Sequence, residues 1–234
     1  MASRLSHVLF FILLSSLICT GCAPDSGLSG DALWERDFMT NGDAVRDSDW
    51  LFDGGYTGEY SQGYYMSQTD IAAPYLFTGD FEAEVEFYLK VLLGEDIYRY
   101  AIRLVDPNWE NSTTRRYYSF AAYYTAFPEH VDAYYQVSQG NGSYSYSDID
   151  GNVPGIVNGV NTCTLVRSGN TISLYMNDTF IRLTTITASN APSVGYAPFI
   201  HGHNSTDPAD SNFYLRKVTV RYKAGERVYH DWNL

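Results

Sequence analysis

Residues 80–91, DFEAEVEFYLKV, alternate Phe81, Ala83, Val85 and Phe87 with Glu82, Glu84 and Glu86. A period of two puts one set of side chains on each face of a strand, which predicts a sheet buried on one side. The same period recurs in residues 96–106, DIYRYAIRLVD, where Tyr98, Tyr100, Ile102 and Leu104 alternate with Arg99, Ala101 and Arg103. It returns in residues 213–222, FYLRKVTVRY, with Val218, Val220 and Tyr222 set against Thr219 and Arg221. Residues 115–127 (RRYYSFAAYYTAF), 132–139 (DAYYQVSQ) and 191–199 (APSVGYAPF) supply further strands, and residues 140–155 are expected to form a loop. Residues 161–186 read as three strands joined at Ser168-Gly169-Asn170 and at Asn177-Asp178. Those residue types tolerate the positive φ that tight hairpins require. No segment carries helical periodicity. Strands at regular spacing without helices predict an all-β fold, an antiparallel two-sheet jelly-roll β-sandwich.

The N-terminus is of a different kind. Arg4 and His7 precede an apolar run from Val8 to Ile18. That run is shorter than the roughly 20 residues of a membrane span and suits the apolar region of a secretory signal peptide. Small residues then lead to Cys22 in CTGC, which resembles the lipobox of bacterial lipoproteins, with Cys19 where leucine is usual. The resemblance implies a signal peptide over residues 1–21, lipidation of Cys22, and a tether over 22–32 ahead of a sandwich over 33–234. It places the protein in the bacterial cell envelope, at the outer membrane or cell surface, held to the membrane by the lipid alone. Of the cysteines only Cys163 would then remain unmodified, in an alternating strand, where a small buried apolar residue is the plain account.

The chain has 15 basic and 27 acidic residues. Removing Arg4 with the leader leaves 14 against 27, a net charge of −13. Such a surface repels phosphate backbones, which excludes nucleic acid as a partner. Four Asn-x-Ser/Thr sequons, at Asn111, Asn141, Asn177 and Asn204, have meaning only in a eukaryotic secretory pathway. The 21 tyrosines, in a chain poor in lysine, agree with a strand-rich fold.

The order DWLFDGG, FTGDFEAEVEFYL, YAIRL, CTLVRSGNTISLYMND, PSVGYAPFIHG and FYLRKVTVRY resembles the concanavalin A-like lectin/glucanase superfamily. Within it, the likeness is to the laminin-G-like and 3-keto-disaccharide hydrolase branches. It covers nearly all of residues 33–223 and implies a jelly roll with a concave face on which ligands commonly lie. The His201-Gly202 pair resembles a His-Gly of the hydrolase branch, although Ile200 replaces the glutamine that precedes it there. The superfamily holds lectins, enzymes and adhesion modules, so function rests on the site itself.

Four groups of residues carry candidate chemistry. Glu82, Glu84 and Glu86 repeat along one strand face, with successive Cα atoms about 6.6 Å apart. That is near the carboxylate separations of glycosidases, about 5 to 9.5 Å. The plainer account is cross-strand pairing with Arg99 and Arg103 on a neighbouring strand. Adjacent tyrosines, as at Tyr117-Tyr118, Tyr123-Tyr124 and Tyr134-Tyr135, place one ring of each pair away from the core. Outward rings at Tyr123 and Tyr135, with Trp109 as a rim platform in DPNWENS, suit the apolar faces of sugars. His201 and His203 fall on one strand face, at the ligand-facing rim beside Arg103. Two imidazoles do not make a metal site, and Asp207 and Asp210 complete one only if the loop folds back. Asp148, Asp150 and Asn152 offer calcium oxygen ligands at alternate positions, without the glutamate that completes a calcium loop. Calcium is the one cofactor these residues suggest.

The reading that follows is a lipid-anchored sandwich that binds a polysaccharide or oligosaccharide through Arg103, Trp109, Tyr123, Tyr135, His201 and His203. The alternatives are a glycoside-cleaving enzyme of the 3-keto-disaccharide hydrolase kind, using Glu84 or Glu86 with His201, and an adhesion or scaffold module that meets protein.

Overall fold

The computed structural model describes residues 32–39, 51–53, 56–67, 69–90, 98–109, 111, 113–114, 116–125, 130–138, 144–149, 157–188, 191–203 and 213–232. At residues 51–53, 56–60, 67, 98–99, 119–125, 130–138, 144–149 and 203 it describes the backbone alone. Residues 1–31, with the expected signal peptide, Cys22 and most of the expected tether, lie outside the described residues.

The described residues form seventeen strands and no helix. In the first sheet the order is β14 (Thr179–Thr185), β13 (Thr171–Met176), β12 (Gly159–Ser168), β7 (Phe81–Leu89), β16 (Phe213–Tyr222), β4 (Gly63–Ser67) and β3 (Tyr56–Tyr60). The strand β1 (Ala32–Asp37) shares the free side of β16 with β4. In the second sheet the order is β11 (Tyr144–Ile149), β10 (His130–Ser138), β9 (Tyr117–Thr125), β8 (Tyr98–Val105), β15 (Ala197–His203), β5 (Thr69–Ala72) and β2 (Leu51–Asp53). All pairings are antiparallel, as the jelly-roll expectation requires. One expected loop contains a strand. Tyr144 and Tyr146 alternate with serines in β11, which pairs with β10 over six rungs.

The turns behave as their residues predict. Gly169 has φ 54° at the first central position of the β12–β13 hairpin, where a II′ turn places glycine. Asn177 and Asp178 have φ 46° and 63° between β13 and β14, the double positive φ of a I′ turn.

Alternation along β7 buries Phe81, Ala83, Val85, Phe87 and Leu89, each at most 2% exposed. Cys163 and Leu165 of β12 and Val218 and Val220 of β16 extend that layer. Cys163 is thus a buried apolar residue, as its sequence context indicated. Tyr100, Ile102 and Leu104 of β8 close the core from the second sheet. The Tyr100 ring stacks on Phe213 at 4.5 Å and tilts against Phe87 at 5.3 Å. Gly202 marks a close approach of the two sheets, since a Cβ there would sit 2.6 Å from Met66 Cβ and 2.7 Å from its carbonyl oxygen. The inward Gly202 therefore sends its neighbour His201 outward, because side chains alternate along a strand.

The C-terminus packs on the domain. The strand β17 (Arg227–Tyr229) pairs with β6 (Tyr75–Phe77), and Trp232 beyond it is buried with Nε1 donating to the Ala73 carbonyl at 2.9 Å.

Candidate functional site

The outer face of the first sheet holds the glutamate row. Its counter-ions are not Arg99 and Arg103, which lie on β8 in the other sheet. They come from β16, the true neighbour of β7: Arg221 pairs with Glu82, and Arg216 Nε donates to Glu86 Oε1 at 2.6 Å. Glu35 of β1 pairs with Lys217 at 2.7 Å. Glu84 sits between these pairs, opposite Thr164 on one side and Thr219 on the other. Burial raises its carboxyl above the ordinary glutamate value, against the pull of Arg221. Glu84 and Glu86 therefore share no site with His201, which projects from the opposite outer surface of the sandwich.

The second sheet brings the other candidates together. Its register runs Asp53, Asp70, His201, Ala101, Ala121, Tyr134 and Asp148 along one rung. A parallel rung of the same parity runs Leu51, Ala72, Phe199, Arg103, Ser119, Gln136 and Tyr146. His203 stands opposite Arg99, which stands opposite Tyr123 and so leads to Asp132. On the first of these rungs His201 Nδ1 lies 2.6 Å from Asp70 Oδ1, with both side chains more than a quarter exposed. Such a contact fixes the ring and leaves Nε2 as its other polar atom. His201 and Arg103 are diagonal neighbours, about 7 to 8 Å apart.

Arg103 is held by rings. Its guanidinium carbon lies 5.0 Å from the centroid of Trp109, 5.7 Å from Phe199 and 6.0 Å from Tyr117. Trp109 packs edge-on to Tyr117 at 5.4 Å and tilts on Phe199 at 4.6 Å. It is 9% exposed, so the expected rim platform is instead a wall of the Arg103 cage. The same packing buries Tyr117, while Tyr118, opposite Leu104, is buried in the core against Tyr196, so both rings of that pair are buried. The cause is Asp106, whose fully buried carboxylate accepts from the backbone N–H groups of Asn108 and Arg116 and from Asn108 Nδ2, at 3.0 to 3.2 Å. This Asx turn folds the loop back over the sheet. Burial raises the Asp106 carboxyl, and the hydrogen bonds from Arg116 and Asn108 oppose the rise.

The remaining candidates are placed by register alone. Tyr123 stands in line with Arg99 and His203. Tyr135 falls on the rung of Phe120 and Ile102, and Ile102 is in the core. Its partner Tyr134 is the member of that pair in line with His201. Among the described residues no three potential ligands gather as a metal site. Asp150, Asn152, Asp207 and Asp210 lie outside the described residues. Asp70 has no local signature, being one aspartate in a short strand, and only the β5–β15 pairing reveals it.

Two sheets in this order define a jelly-roll sandwich of the concanavalin A and galectin type. No protein-family model matches the chain, and no curated protein matches it either. Solved structures do share the fold. The glycoside hydrolase family 16 endo-glucanase from Bacteroides ovatus aligns with TM-score 0.55 and 11% identity, over 80% of this chain and 98% of that one. The Emp47p carbohydrate recognition domain aligns with TM-score 0.54 and 10% identity, over 82% and 96%. A Bacillus subtilis protein of unknown function with a galectin-like fold gives 0.52 and 11%, over 86% and 99%.

Proposed function

We propose that this chain is an exported lipoprotein of the bacterial cell envelope, anchored through Cys22, whose sandwich binds carbohydrate on the outer face of the second sheet. The observation that carries the reading is the meeting, on one sheet face, of a ring-caged Arg103 with the Asp70–His201 pair. Sugar sites use a few fixed polar groups set on a rigid surface, and the ring-packed Arg103 and the Asp70–His201 pair are such groups. The fold is shared with a carbohydrate recognition domain and an endo-glucanase, which is the background to the reading and not its basis.

The test is a thermal-shift screen of the mature chain against a glycan panel, with a reducing-end assay on the same samples. A ligand at 100 times its dissociation constant adds about 2.7 kcal/mol, a visible rise in melting temperature. The rise should disappear in Arg103→Ala and His201→Ala and persist in Glu84→Gln. Loss in Glu84→Gln alone would move the site to the first sheet. Silence across the panel, with capture of a protein partner, would make the domain an adhesion module.

A second reading has its own observation. The Asp70 carboxylate orients His201 as a general acid or base is oriented. This favours a glycoside-cleaving enzyme of the 3-keto-disaccharide hydrolase kind, working without Glu84 or Glu86. New reducing ends that vanish in both His201→Ala and Asp70→Asn would establish it.

A further inference from the structure

We infer that the outer face of the first sheet carries a second ligand site, separate from the one on the second sheet, which takes an amino sugar through its protonated amine. One rung of this face runs Glu35, Thr219, Glu84, Thr164, Tyr175 and Phe180, across β1, β16, β7, β12, β13 and β14. Glu84 alternates with the core residues Ala83 and Val85 and so points outward. Directly paired residues on neighbouring strands point the same way, so the rung is one continuous strip of the surface.

The acids of this face are matched with one exception. Glu82, Glu86 and Glu35 have Arg221, Arg216 and Lys217. Glu84, among the described residues, has neither a salt bridge nor a hydrogen bond. Thr164 and Thr219 flank it at 7% and 4% exposure, and their hydroxyls also lack a hydrogen-bond partner among the described residues. Burial raises the Glu84 carboxyl, Arg221 pulls the other way, and the charges of Glu82, Asp178 and Glu86 add to the rise. An unmatched acid between two buried hydroxyls costs stability until a cation and hydrogen-bonding partners arrive.

The rest of the rung is apolar. Tyr175 and Phe180 meet edge to face at 5.6 Å, and Phe180 is 55% exposed on β14. Leu183, equally exposed, shares the outer face, because the register shift between Leu174 and Tyr175 leaves both side chains outward. Rung neighbours are about 4.8 Å apart, so Glu84 and Phe180 stand about 14 Å apart at the backbone, longer than one sugar ring. Exposed rings stack on the apolar faces of sugars, and the threonine hydroxyls can exchange hydrogen bonds with those of the sugar. A protonated amine on that sugar supplies the cation that Glu84 lacks, in a charge-assisted hydrogen bond. A lysine of a protein partner would meet Glu84 but leave the flat strip of rings uncovered.

Isothermal titration of the mature chain tests this, apart from the panel above, with short oligosaccharides of glucosamine and of galactosamine, each beside its N-acetylated form, and with poly-lysine as a non-sugar polycation. At least one amine form should bind about tenfold or more tighter than its acetylated form, a difference of about 1.4 kcal/mol. That preference should shrink as salt is raised, since screening acts on exposed charges. Glu84→Gln, which removes charge without volume, should lose the preference. Phe180→Ala, outside the core, should weaken both forms severalfold. Equal or tighter binding of the acetylated forms, or no binding of either, overturns the inference and leaves the second-sheet reading to its own test. Loss of the preference in Arg103→Gln and not in Glu84→Gln overturns it by placing the amine on the second sheet. Binding of poly-lysine as tight as any amino sugar overturns it in favour of a basic peptide.

Discussion

At the scale of single residues, Glu84 is the side chain most out of balance. Its neighbours Glu82 and Glu86 have their arginines, while it is flanked by Thr164 and Thr219 and desolvated by the sheet. The consequence for stability has a definite sign. The folded state raises the carboxyl above its free value of 4.5, so it holds the proton more tightly than the unfolded chain does. The stability linked to this group is fully present below the unfolded value and is lost as pH rises through the folded one. Glu84→Gln should therefore raise the melting temperature at neutral pH and leave it nearly unchanged at a pH below the free carboxyl value. Melting curves of the two proteins at both pH values check this, and an equal rise at both would show that charge is not the cause.

At the scale of elements, two turns determine how strands are presented. Asn177 holds a positive φ, accepts from the Thr162 N–H at 2.7 Å and donates to Asn161 Oδ1 at 2.9 Å. Asn177→Ala should cost about 1 to 3 kcal/mol in denaturant unfolding, from backbone strain and lost hydrogen bonds together. Asn177→Gly removes the strain and should lose less; parity between the two would assign the whole effect to the hydrogen bonds. The loop after β8 depends on Asp106 in the same manner. Asp106→Ala leaves the Asn108 and Arg116 N–H groups without their acceptor, at about 1 to 3 kcal/mol. The released Trp109 should shift its fluorescence to the red and ligand affinity should fall, both measurable on the same sample. The hairpin was legible in the sequence because Asn-Asp between alternating strands is a local signal. The fate of Trp109 was not, because an exposed-looking tryptophan in DPNWENS is buried only when β9 and β15 supply the surface beneath it.

At the scale of the whole molecule, closure depends on the C-terminus. Trp232 covers Ala73 and donates to its carbonyl, next to the β6–β17 ribbon. Trp232→Ala should lower stability by about 3 kcal/mol or more, read from the denaturant midpoint at unchanged slope. Fold class, and the alternation of most strands, could be read from the chain because they depend on neighbours two residues away. Which strands become neighbours could not. Arg99 and Arg103 were matched to the glutamate row on sequence proximity, whereas β16, more than a hundred residues on, delivers Arg216 and Arg221. Asp70 reaches His201 by the same non-local route. The site, in short, is a product of topology.

The two ends of β15 face different directions in the life of the protein. At its start, Tyr196 bridges Phe77, whose ring touches Tyr222, the residue paired with Ala32. The chain therefore enters the domain at the Ala197 end of β15, while His203 and Arg99 stand at the far end, about 20 Å away along the strand. An anchor at Cys22, as proposed above, would therefore join the domain on the Ala197 side of β15, with the His203 and Arg99 positions on the opposite side.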